Sequence, residues 1–155
     1  MDAAAVSSGL YAAFRAGGRL MAIEAGAIDG IIKPPPVTPV PGAKGSLVGV
    51  INLRGEIVAL SDLAAVLGLR ERSGQGDEVA EAADDQKRIL VVSSGGEPAG
   101  LLVDAVYDVV SAAPDSLKDA PPNLRGAEER WFSGALDCAL GLAGILDLAA
   151  VMAAC

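Results

Sequence analysis

The sequence contains no histidine. That absence removes phosphohistidine chemistry, the Ser-His-Asp and Cys-His nucleophile pairs, and most zinc sites. Cysteine is scarce too: Cys138 and Cys155 stand outside any CxxC spacing. Two cysteines make no disulfide framework, so a reducing cytoplasm is the simpler context. Aromatic residues are 3% of the 155, which leaves Phe14, Trp131 and Phe132 as rare large anchors in a core of Ala, Val, Leu and Ile. The N-terminal stretch MDAAAVSSGLYAAF has no basic n-region and does not read as a secretory signal. No uncharged apolar stretch reaches the roughly 18–20 residues that span a bilayer, so direct membrane insertion is not expected. Positive charge is in deficit, with a net charge of −8 and a pI near 4.4. Such a surface repels phosphate backbones, and no nucleic-acid partner is expected.

Motifs that carry catalysis are missing as well. There is no Walker A, GxSxG, HExxH, EF-hand or zinc spacing. Gly74-Gln-Gly76 lacks a leading strand and a third glycine, so it is no nucleotide loop. Ser93-Ser94-Gly95-Gly96 has no base or cation nearby. Asp62, Asp104, Asp108, Asp137 and Asp147 are each explained by a cap or a turn. Cys138 on an apolar strand reads as core, and Trp131-Phe132 as a packing anchor. No catalytic residue, metal site or cofactor is expected, and the chain does not read as an enzyme.

What is present is a run of short strands. The central stretch is Val48–Leu60, VGVINLRGEIVAL, two apolar runs about a polar tip. Arg54-Gly55 is the predicted turn, because glycine accepts the positive φ of a tight hairpin. Gly17-Gly18 joins Leu10–Ala16 to Arg19–Glu24, and Ala27–Ile32 is a further extended segment. Five prolines within residues 33–41 exclude helix and central strand and predict a surface connector. Asp62 caps a short helix over Leu63–Leu67, which Gly68 closes. Residues 70–88 carry three glutamates and three aspartates and read as an exposed linker. Ile89–Ser94 and Ala99–Val103 form a hairpin about Gly95-Gly96, extended by Ala105–Val110. A connection with Pro114, Pro121 and Pro122 leads to a last hairpin, Trp131–Asp137 with Gly141–Leu146. Asp147 caps a terminal helix, Leu148–Ala154. The class is mainly β, in small barrels.

The chain repeats itself. At an offset of 85, GVINLRGEIVALSDLAAVL falls on GALDCALGLAGILDLAAVM without a gap. Upstream, Ile28-Asp29-Gly30-Ile31 resembles Val106-Tyr107-Asp108-Val109, and each follows a Gly-Gly hairpin. Two barrels are predicted, one from residues 9–69 and one from 89–155, with 70–88 between them. Each is too small to be comfortable alone, so a shared apolar interface is expected. The copies differ at the tip: Leu53-Arg54-Gly55-Glu56 in the first, Cys138-Ala139-Leu140-Gly141 in the second. A turn needed only for folding has little reason to carry Arg54.

The stretch GVINLRGEIVALSDLAAVLGL resembles the CheW-like domain of bacterial chemotaxis adaptors, with its Gly-Val-x-Asn-Leu-Arg-Gly hairpin and following Asp-Leu. Ile23-Glu24, Val37–Pro41 and Gly100–Val109 add supporting matches, and the likeness runs from about residue 10 to 153. It implies one CheW-like domain over 9–155, built as two five-stranded SH3-like barrels around a common core. It implies an adaptor without catalysis. The implied partners are the regulatory domain of a CheA-type histidine kinase and the cytoplasmic tip of methyl-accepting chemoreceptors, held in a groove between the barrels. Carried over by position, Arg54 is the leading partner-binding residue, with Asn52, Leu53, Gly55 and Glu56 shaping its tip. Ile31, Val50 and Val106 are candidates for apolar groove contacts. Gly30 stands where many relatives have a glutamate able to pair with the arginine, and Ala59 where a proline is common. An alternative is a module of a non-flagellar pathway, pilus or surface motility, or a small-ligand-binding signalling domain.

Overall fold

A computed structural model describes residues 9–42, 45–69, 86–94, 96–111, 117–118 and 131–154. In chain order the strands are β1 (Leu10–Ala16), β2 (Arg19–Glu24), β3 (Ile28–Ile32), β4 (Leu47–Leu53), β5 (Glu56–Asp62), β6 (Arg88–Ser94), β7 (Glu97–Val103), β8 (Ala105–Ser111), β9 (Leu117–Lys118), β10 (Phe132–Cys138) and β11 (Gly141–Leu146). A 3-10 turn covers Ala25–Ala27, α1 covers Leu63–Val66 and α2 covers Leu148–Ala154. The hairpins fall where the glycines predict them. Gly17 and Gly18 both take positive φ, 62° and 81°, which matches the twist of the flanking strands. The two-residue β9 was not foreseen. The N-terminal tail and most of the acidic linker, residues 70–85, lie outside the described residues, as does most of the 112–130 connection. No helix among the described residues is long and apolar enough to cross a membrane.

The strands form two sheets, ordered β8-β1-β2-β11-β10-β9 and β3-β6-β7-β5-β4. Here the expectation of one barrel per half is corrected. The first sheet takes β1 and β2 from the first half and the rest from the second. The other takes β6 and β7 from the second half and the rest from the first. Two parallel junctions join the halves, β11 beside β2 and β5 beside β7. The physical reason is that strands of the same apolar pattern serve equally well in either sheet, and the chain exchanges them.

The exchange is regular to the residue. Ile28 pairs with Val92 as Val106 pairs with Phe14, and Ile31 pairs with Leu90 as Val109 pairs with Ala12. A bulge interrupts the same place in both ladders. The caps repeat as well. The Asp62 amide donates to the Ser46 carbonyl at 2.9 Å, and the Asp147 amide to the Trp131 carbonyl at 2.8 Å. The Asp62 carboxylate accepts from the Ala64 amide at 3.2 Å and that of Asp147 from the Ala150 amide at 3.3 Å. Each satisfies a donor that a helix start leaves open.

Strand alternation supplies three cores among the described residues. On β6, Leu90 and Val92 face a central cluster while Ile89 and Val91 face one internal to their own sheet. Phe14, Met21, Leu63, Leu101, Trp131, Phe132 and Leu146 are among the large members of the central cluster, which draws on both sheets. Burying each large side chain contributes about 1.5–3 kcal/mol, so this shared layer is a main source of cohesion.

The proline connector does more than run along the surface. Thr38 exchanges two backbone hydrogen bonds with Val50, both 2.9 Å, and Val37 packs on the core of its sheet. The segment therefore covers part of the β4 edge. This accounts for Gly49: a Cβ there would strike the Thr38 carbonyl and the Val37 side chain. Gly49→Ala is predicted to destabilise the protein by about 1–3 kcal/mol through overpacking against backbone, measured by urea unfolding. An unchanged midpoint would contradict the packing of this connector.

Tyr11 on β1 is buried, and burial, then the Glu24 carboxylate, raises its pKa above the ordinary 10.0. Ionisation is therefore easier in the unfolded chain. The stability that the neutral phenol confers is complete below pH 10.0 and is lost as pH rises through the higher folded value. Tyr11→Phe is predicted to lose less stability between neutral and strongly alkaline pH than the parent, read by circular dichroism. An identical pH profile would contradict this.

Candidate partner-binding site

The β4–β5 hairpin builds the tip. Leu53 pairs with Glu56, leaving Arg54 and Gly55 as a two-residue turn with φ of 52° and 87°. Both positive angles define the tight turn that suits a twisted hairpin, and Asn-Gly is its preferred sequence. Arg54 is the one non-glycine residue with positive φ among the described residues. An L-residue with a Cβ costs about 1 kcal/mol there. Asn52 offsets part of this, its side-chain oxygen accepting from the Gly55 amide at 3.0 Å. Leu53 packs against the core of its own sheet and anchors the tip from below. Arg54 itself is exposed and makes no ion pair with a described residue.

The matching hairpin of the second unit shows what folding alone requires. Cys138 pairs with Gly141, so the turn has the same length. Ala139 and Leu140 form it without positive φ, and Gly141 absorbs the twist at 127°. The Cys138 thiol donates to the Gly141 carbonyl at 3.4 Å. The same scaffold therefore closes without a strained, charged residue. Arg54 at the first tip is an addition to the fold.

The structure divides the other predicted residues between places. Asn52, Leu53, Arg54, Gly55 and Glu56 are together at the tip. Val50 lies on the same hairpin, half-buried, with its backbone bridged to Thr38. Ile31 sits on β3, at the far end of the strand order, and is 41% exposed. Val106 lies in the other sheet, half-buried and packed against the central cluster. Gly30 is in β3 with open space where a side chain would project. Asp29 falls in the bulge between Ile28 and Gly30, outside the ladder register.

Two residues escaped the sequence reading. Val109 is 50% exposed and stands opposite Ala12 of the central cluster, as Ile31 stands opposite Leu90. Both therefore lie on strand faces turned toward the layer between the sheets, one on each edge strand. The alignment of Ile28–Ile31 with Val106–Val109 already sets Val109 on Ile31. The second is Ile57, 66% exposed, paired with Asn52 beside the tip. Its signal is an isoleucine two residues after the turn glycine, on the face opposite Val58. Next to Val109, Tyr107 accepts from Arg15 Nε at 3.1 Å and lies beneath its guanidinium, 5.9 Å from ring centre. That pair fixes the β8 margin. No cluster of potential metal ligands occurs among the described residues.

Two interlocked sheets thus carry an arginine on a strained tip and exposed apolar residues at their margins. A profile of the CheW-like domain matches residues 11–155, and the chain belongs to that family. It is 30% identical to Protein PilI of Pseudomonas aeruginosa over 130 residues, 84% of this chain and 68% of that protein. It is 30% identical to the chemotaxis protein CheW of Rhizobium meliloti over 124 residues, 80% and 74% of the two chains. Among solved structures, the scaffolding protein TtCheW from Thermoanaerobacter tengcongensis superposes with a TM-score of 0.74 at 25% identity, covering 91% of this chain and 85% of that one. The fold is thus SH3-like, and the family is one of scaffolding and adaptor proteins.

Replacing Arg54 with a residue at ease in this backbone separates fold from contact. Arg54→Asn is predicted to raise stability by about 0.5–1 kcal/mol, a few degrees in Tm, in a thermal melt. A loss of stability would show that the Arg54 side chain supports the fold.

Proposed function

We propose that this protein is an adaptor that couples the cytoplasmic tips of methyl-accepting chemoreceptors to the regulatory domain of a CheA-type histidine kinase. The observation that carries the reading is Arg54, held at φ 52° on a tip whose structural twin needs no such residue. Membership of the CheW-like family supports the same role. In this reading Ile31 and Val109 flank an apolar seat for the helical receptor tip, and Arg54 sets register and orientation at the kinase contact. An apolar seat supplies most of the attraction, and a charged rim suppresses wrong partners. The adaptor works on the cytoplasmic side of the membrane, where receptor tips lie. Likeness to PilI favours a non-flagellar pathway, pilus or surface motility, as its setting.

The test is retention of the purified protein on immobilised receptor-tip hairpin and on immobilised kinase regulatory domain. Ile31→Asp and Val109→Asp are expected to weaken receptor retention about tenfold or more, as for truncation of a central contact. Arg54→Asp is expected to weaken kinase retention by a similar factor without lowering the melting temperature. Equal retention of all three variants and the parent on both partners would contradict the assignment.

A further inference from the structure

One opening is not used by this reading. At the end of β2 and the start of β10, a cleft of about 440 Å³ opens into the first sheet. Tyr11 lines it, and its side chain is only 1% exposed. Among the described residues its hydroxyl has no hydrogen-bond partner, which is costly for a group removed from water. Glu24 stands directly across the β1–β2 pair, and burial, then the Glu24 charge, raises the phenol's pKa. Asp147 and Ser133 add further oxygen atoms to the wall. One Asp147 oxygen caps α2, and the other has no hydrogen bond within the described residues. Ile145 and Leu148 supply apolar surface. No described residue of the lining is basic.

The internal repeat gives the control. The cross-strand pair Tyr11–Glu24 of the first sheet is matched by Ile89–Leu102 in the second. Ile89 and Leu102 are buried in that sheet's apolar core. Closing this end of a sheet therefore needs no phenol and no carboxylate. The polar pair belongs to one copy only, as Arg54 does.

We propose that this cleft is a binding site for an alkylammonium group, a cationic head on an apolar stem, taken either from a lysine side chain or from a free aliphatic amine. The ammonium N–H groups would meet the Tyr11 hydroxyl and the Glu24 carboxylate, and the stem would cover Ile145 and Leu148. Mouths of small β-barrels commonly hold ligands in this way, with an apolar wall and a few convergent polar atoms. The cleft is lined by neither the tip residues nor Ile31 and Val109, so its failure would leave the adaptor reading untouched.

The test is a titration of the ¹⁵N-labelled full chain, with n-pentylammonium chloride in one arm and Nα-acetyl-lysine N-methylamide in the other. Sodium chloride at equal ionic strength is the reference. The expected result is saturable shifts of the Ser133, Gly134 and Leu148 amides. Glu24→Gln should weaken binding about fivefold, the scale of one partly exposed charge pair. Tyr11→Phe should weaken it by a smaller factor, and Asp137→Asn, an exposed acid outside the cleft, should leave it unchanged. Saturation in the lysine arm identifies a protein side chain as the source; saturation with pentylammonium alone identifies a free amine. Shifts no larger than those in sodium chloride, or shifts that neither Glu24→Gln nor Tyr11→Phe alters, would overturn the proposal.

Discussion

The structure depends on two parallel strand junctions, β5 beside β7 and β11 beside β2. Each joins strands from different halves of the chain, so neither half can complete a sheet by itself. The junctions also bring the outer faces of both sheets onto one central cluster. There Phe14 and Met21 from the first half lie with Leu90, Leu101, Trp131 and Phe132 from the second. Edge strands β3 and β8 dock through the same exchange, which sets Ile31 and Val109 at matching margins. A strand exchange thus fixes the core and the placement of these two exposed residues together.

On such a framework, differences between the two copies are more informative than likenesses. Both copies cap a short helix with a buried or half-buried aspartate, Asp62 and Asp147, and both carry the same bulge. Those features belong to folding. The tip and the mouth differ. One tip holds Arg54 in a left-handed conformation, and one mouth holds Tyr11 opposite Glu24. Each departs from its twin at some cost to stability, and natural sequences accept such local conflict mainly where function needs it.

Much of this was legible in the sequence, and the rest has physical reasons for being hidden. The hairpins were visible because Gly17-Gly18 and Arg54-Gly55 interrupt alternating apolar runs. The repeat was visible because Asp62 and Asp147 each precede Leu-Ala-Ala-Val. The partner of each strand was not, since an apolar pattern reveals that a strand is buried but not against what. Thr38 was concealed among prolines, although its amide is one of the few in that run able to pair. Strand β9 is two residues long and leaves no periodicity. Val109 was within reach, because the alignment of the copies already set it on Ile31. Tyr11 was not, since nothing in one sequence tells a core phenol from one that faces a cleft.

The central claim is that the two halves of the chain complete each other's sheets. It is tested most directly by cutting the chain within the acidic segment and following strand content by far-ultraviolet circular dichroism. The account predicts that residues 1–77 alone and 78–155 alone lack cooperative unfolding transitions. Mixed at equal concentration, they should regain the parent spectrum and a single transition. A cooperative transition in either fragment by itself would show that a half folds on its own, and the exchange would not be what holds the protein together.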